Sequence, residues 1–141
     1  ELNAAILLAQ LENIEKIQIK RLYVWNKYYN LLKKLEEKKI VELPKIPKDC
    51  QHNAHMFYIK CKDIVERTKM ITYLRNNNIY SVFHYVPLHS SIAGQKFGKM
   101  NSKDIYTTKE SERIIRLPLY YNLTETEIRI IVSKIKEFFN V

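Results

Sequence analysis

Apolar residues return every three or four positions from Leu2 to about Leu35, through Ile6, Ile14, Ile17, Trp25, Leu32 and Leu35. This spacing predicts one long helix, roughly 50 Å at 1.5 Å per residue. Its first turns, Ala4 to Ala9, are apolar on nearly every side, whereas the later turns carry a polar outer face. A helix apolar all round needs protein all round, so its start is expected to pack against another region or a second copy. The prolines of Leu43-Pro44-Lys45-Ile46-Pro47 then suit extended backbone and mark a connector.

Beyond the connector the period changes. Residues 54–61 alternate Met56, Tyr58 and Lys60 against His55, Phe57, Ile59 and Cys61, the pattern of a strand. Asp63, with Glu66 three positions on, opens a helix carrying Ile64, Met70, Ile71 and Leu74, and Asn76-Asn77-Asn78 closes it. A second strand is expected over 79–85. A long loop follows Pro87, and Thr107 with Glu110 opens a short helix that is expected to hold Ile114 and Ile115. Leu117-Pro118-Leu119-Tyr120 reads as a short strand demoted to an edge by its proline. Thr124 with Glu127 is a capping box ahead of a closing amphipathic helix containing Ile128, Ile131, Val132, Ile135 and Phe138.

The expected architecture is α+β: a long N-terminal helix, then a small, largely antiparallel sheet with helices on one face. At 141 residues the chain has room for one core. It divides into a connecting helix over 1–37, a connector over 38–52 and an α/β core over 53–141. Glu1 stands without Met inside a helical pattern, so the chain is expected to be a fragment of something longer. No apolar run is long enough for a bilayer, and no membrane partner is expected. Cys50 and Cys61, without a secretory signal, read as free thiols in a reducing cytoplasm.

The net charge of +9 favours polyanionic partners and raises an alternative, a basic module that binds nucleic acid or an acidic protein. Its lysines are scattered among acids, however, and two glycines leave no Gly-rich phosphate cradle. The aromatic stripe of Trp25, Tyr28 and Tyr29 reads as helix packing rather than a base-stacking platform, so no nucleic acid is expected. Cys50, His52, His55 and Cys61 fall within twelve residues and invite a metal reading. As a strand, His55 and Cys61 would stand about 20 Å apart, too far to share one ion, and no metal is expected.

The stretch with most chemistry is Phe83-His84-Tyr85-Val86-Pro87-Leu88-His89, where an apolar strand runs out into a turn carrying two imidazoles and a phenol. No Ser or Cys with a base-and-orienter pattern accompanies it, so a nucleophile triad is not supported.

That stretch also carries a family likeness. With Asn53-Ala54-His55-Met56-Phe57-Tyr58-Ile59, Trp25-Asn26-Lys27-Tyr28-Tyr29, Tyr106 to Arg113 and Arg116-Leu117-Pro118-Leu119-Tyr120, it resembles the C-terminal part of the DegT/DnrJ/EryC1/StrS sugar aminotransferases. The resemblance implies the small domain of a fold-type I enzyme that uses pyridoxal 5'-phosphate to move an amino group from glutamate to a dTDP-linked 4-keto-6-deoxyhexose, in surface-polysaccharide biosynthesis. It implies that the cofactor's lysine, carboxylate and phosphate ligands lie in a large domain absent here. No catalytic or cofactor-binding residue is therefore assigned to this chain, and the fragment alone is expected to be inactive. Its share would be one wall of the substrate site, with His84, Tyr85 and His89 toward the sugar nucleotide and Arg116 toward the amino donor's carboxylate. A homodimer through the N-terminal helix region completes the expectation.

Overall fold

The computed structural model describes residues 1–141. The chain forms six α-helices and a three-stranded antiparallel sheet. In chain order they are α1 (Leu2–Glu12), α2 (Ile14–Glu37), β1 (Phe57–Lys60), α3 (Ile64–Asn76), β2 (Val82–Phe83), α4 (Ile92–Phe97), α5 (Thr107–Arg113), β3 (Ile114–Leu117) and α6 (Glu125–Phe138). The small antiparallel sheet and its helices agree with the expected α+β class.

The long helix is two helices. Asn13 leaves helical backbone, donating its side-chain amide to the Ala9 carbonyl and its N–H to Gln10. An asparagine that bonds its own backbone competes with the helix ladder, which periodicity does not register. Nothing in α1 is buried: Leu2, Ile6, Leu7, Leu8 and Leu11 all lie open to solvent. From Val24 onward α2 instead supplies Val24, Trp25, Tyr28, Leu32 and Leu35 to the core.

Both predicted strands are shorter than their patterns. Ala54 takes left-handed backbone (φ 48°) and Asn53 Oδ1 accepts the N–H of His55, so the extended run starts only at Phe57. The second strand is confined to Val82 and Phe83, because Ile79 N–H is spent on Leu74 and the ladder ends where β3 begins. The placement of Ile114 and Ile115 is corrected: α5 stops at Arg113, and these two residues open β3 beside Lys60 and Ile59. Their β-branched side chains suit a pleated surface. The strand expected at Leu117-Pro118 is displaced for the same reason. β3 is the central strand, order β1-β3-β2, and it ends at Leu117, since proline cannot donate to a central ladder.

The helix starts follow their capping chemistry. Asp63 accepts the N–H groups of Val65 and Glu66, and Thr124 with Glu127 forms the complete reciprocal box. Asn78 adopts left-handed backbone just past the end of α3 (φ 60°). The stretch after Pro87 is not a plain loop. It forms a 3-10 turn at Leu88–Ser90 and then α4, packed so closely that a Cβ on Gly94 would overlap the Leu88 carbonyl.

One face of the sheet meets the helices. Phe57 and Ile59 from β1 and Ile115 and Leu117 from β3 are buried there, in a core of 21 residues that includes Met70, Leu74, Ile128, Ile131 and Ile135. Trp25 and Tyr28 lie against Phe57 with ring centres 5.3 and 5.2 Å apart, and Tyr28 Oη donates to the Pro118 carbonyl at 2.9 Å. The aromatic stripe is thus packed inside.

Candidate functional site

The alternation that buries Ile115 and Leu117 turns Arg116 to the opposite face of the central strand, where its backbone partners are Tyr58 on β1 and Val82 on β2. One residue beyond β2 the ladder ends, and His84 and Tyr85 emerge over the same region. Their ring centres are 4.7 Å apart, and the Arg116 guanidinium lies 5.4 Å from the centre of the Tyr85 ring.

Two polar atoms in this cluster are unspent. His84 Nδ1 and Arg116 Nε are buried without any hydrogen-bond partner, and Arg116 takes no part in the chain's nine ion pairs. Buried polar groups left alone are costly, so such atoms mark a place built for a partner. Desolvation, and then the positive charges of Arg116 and His55, hold the His84 imidazole below its ordinary pKa. A permanent cation beside a neutral imidazole and a phenol can bind a carboxylate or phosphate and hydrogen-bond a hydroxyl next to it.

His89 is held elsewhere. Its Nε2 lies 3.0 Å from Asp104 Oδ2 and 3.2 Å from Thr108 Oγ1. Asp104 also accepts the N–H groups of Thr107 and Thr108, which fastens the start of α5. The Thr108 hydroxyl, opposed by desolvation and helped by those N–H groups and His89, keeps the Asp104 carboxyl below the usual range. The structure therefore joins His84, Tyr85 and Arg116, and ties His89 to the anchor of α5.

A second group of residues, which sequence reasoning missed, positions the cluster. Arg113 donates from Nε to the Cys61 carbonyl at 2.8 Å and from Nη1 to Glu110 at 3.2 Å, and it pairs with Glu42 through Nη2. Lys60 donates to Glu110 at 2.6 Å. This network clamps the end of α5 onto β1 and the connector, and so fixes where β3 starts and where Arg116 stands. Arg113 lies in the Ser111-Glu112-Arg113 segment, but nothing in the local pattern identified its partner Glu42, 71 positions away.

The Cys/His group scatters. Cys50 is exposed; Cys61 is buried, which pushes its thiol up to about 12. The His52 ring packs on Trp25, 4.5 Å between centres, and His55 Nδ1 turns to Asn53. No helix is long and apolar enough to cross a membrane.

Residues 1–136 match the model of the DegT/DnrJ/EryC1/StrS aminotransferase family. The 3-oxo-glucose-6-phosphate:glutamate aminotransferase of Bacillus subtilis is 29% identical over 131 residues, which are 89% of this chain and 29% of that protein. Among solved structures, DesV of S. venezuelae superposes with a TM-score of 0.81 at 19% identity, over 96% of this chain and 35% of its own. NtdA of Bacillus subtilis, with bound cofactor PMP, gives 0.76 at 23% identity, over 89% of this chain and 29% of its own. The chain thus spans about a third of the length of the relatives it matches.

Proposed function

The chain belongs to the DegT/DnrJ/EryC1/StrS aminotransferase family, and on that premise we propose that it is the C-terminal small domain of a sugar-nucleotide aminotransferase dependent on pyridoxal 5'-phosphate. The proposed reaction moves an amino group from glutamate to a dTDP-4-keto-6-deoxyhexose, for surface-polysaccharide biosynthesis of the enterobacterial-common-antigen or lipopolysaccharide type. The observation that carries this reading, beyond membership of the family, is the open cluster of Arg116, His84 and Tyr85 with its unpartnered polar atoms.

The cofactor, when bound, supplies the electron sink and carries the amino group. This chain's residues do not make its site. Lys60, the lysine of β1 on the Arg116 side of the sheet, is held by Glu110 and Glu42, so no unpaired lysine stands at the cluster. The lysine and pyridine-facing carboxylate are assigned to the remaining two-thirds of the protein.

What the small domain offers is binding and orientation. Arg116 matches a carboxylate in bidentate geometry, which suits the amino donor. Neutral His84 and the Tyr85 hydroxyl suit sugar hydroxyls. His89, fixed by Asp104, supports the segment between Pro87 and α5 that follows Tyr85 in the chain. The exposed apolar side of α1 supports a homodimer through the N-terminal helix region.

The test is amine transfer from glutamate to dTDP-4-keto-6-deoxyglucose by the full-length protein, with the 141-residue chain as control. Transfer by the long form and none by the short one is the expected result. Absence of both transfer and cofactor binding in the long form would end the reading.

A further inference from the structure

Over residues 86–103 the chain bonds almost only to itself. Ser91 Oγ accepts the N–H of Gly94 and donates to the Leu88 carbonyl, Gln95 donates to the Ser90 carbonyl, and the turn's backbone N–H groups return to Pro87 and Leu88. Gly94, the one buried residue of the stretch, is buried against the Leu88 carbonyl within it. The hydrogen bonds that leave belong to His89, which reaches Asp104 and Thr108 at the foot of α5. Because the Thr108 hydroxyl donates to Asp104, His89 Nε2 is the donor to both oxygens. The clasp closes a compact loop at its base, and a body with few buried contacts and one tie leaves its place more easily than the core does.

The loop's surface is as distinctive as its attachment. Leu88, Ile92 and Phe97 are each more than three-quarters exposed. Lys96, Lys99 and Lys103 enter no ion pair, and the stretch holds no Asp or Glu. We propose that residues 90–103 are a lid that pivots as one body on its roots at Pro87 and Asp104. The His89 clasp holds it back, and it closes over Tyr85 and Arg116 when an anionic ligand sits there. Tyr85 stands two residues before the first root, so the pivot lies beside the cluster. Closure sets three unpaired ammoniums and two apolar side chains over a negative ligand, contacts that exist only in the closed position. That difference is what lets a ligand shift the equilibrium. The ligand's identity rests on the aminotransferase reading above, whereas the clasp and pivot do not.

Spin labels at Lys96→Cys on α4 and Ser133→Cys on α6, in full-length protein carrying Cys50→Ser, measure the lid against the core by double electron resonance. A Lys69→Cys and Ser133→Cys pair, on α3 and α6, measures the frame alone. The unliganded parent is expected to show one lid distance, and dTDP-4-keto-6-deoxyglucose to bring in a second. Without ligand, His89→Ala is expected to raise the second population about tenfold, as for loss of one charge-assisted contact. Thr108→Val is expected to act in the same direction by less, and it decides the matter where His89→Ala disturbs the frame pair. One lid distance throughout, with the frame pair intact, would overturn the lid. So would a second position that appears on loss of His89 but never with the sugar nucleotide. Amine transfer followed in the same preparations separates the two claims, since transfer with an unmoving label removes the lid and leaves the aminotransferase reading standing.

Discussion

Arg116 carries its guanidinium over the ring of Tyr85, 5.4 Å from its centre, and the His84 ring meets the same Tyr85 at 4.7 Å. The tyrosine thus stands between a permanent cation and an imidazole that the cation discourages from protonating.

Arg116→Gln removes one of the three influences that lower His84, leaving desolvation and His55. The His84 titration, followed by NMR, is expected to have its midpoint below the ordinary 6.5 in the parent and to move upward in the variant. A midpoint unmoved by the change would separate the two residues. Because the folded pKa of His84 is lowered, its neutral form favours the fold above the unfolded value, and that advantage is lost as pH falls toward the folded pKa.

Asp104 tests the anchor of α5. Its folded pKa is lowered, so it stabilises the fold above its unfolded value of 3.8, and the contribution disappears as pH falls through the folded pKa. Asp104→Asn is expected to lower the denaturation midpoint at pH 7 and to flatten its decline in acid. Equal midpoints at pH 7 would show that the contacts to Thr107, Thr108 and His89 do not hold α5.

Two packing predictions concern the base of the sheet. Thr124→Ala breaks the capping box of α6 and is expected to cost about 1 kcal/mol of unfolding free energy. Tyr28→Phe leaves the Pro118 carbonyl without its donor, at a cost of about 1 kcal/mol. Urea denaturation measures both, and values near zero would mean that these contacts are replaced by water.

The sequence shows most of this frame and little of its geometry. Asp63, Thr124 and Asn78 marked helix ends because capping chemistry is local. The break at Asn13 escaped periodicity, since one side chain bonding the Ala9 carbonyl leaves the apolar spacing intact. Ile114 and Ile115 read as helix because short apolar runs fit either period, and only pairing with β1 decides them. His84, Tyr85 and Arg116 were legible as chemistry at a strand end. That three of the four named residues share one face, while His89 goes to Asp104, depended on partners 15 or more positions away.

α1 makes an association prediction. Leu7 and Leu8 are both more than half exposed, and the isolated 141-residue chain is expected to gain mass with concentration. Leu7→Glu with Leu8→Glu is expected to hold it monomeric in sedimentation. Identical behaviour of parent and variant would place any self-contact away from α1.

The most direct measurement is steady-state amine transfer by the full-length protein and its Arg116→Gln variant, with glutamate and the dTDP-keto sugar varied in turn. The account predicts a Michaelis constant for glutamate raised at least tenfold by the variant, with the constant for the sugar nucleotide changed far less. Unchanged constants for both substrates, or a rise confined to the sugar, would contradict Arg116 as the wall that receives the amino donor.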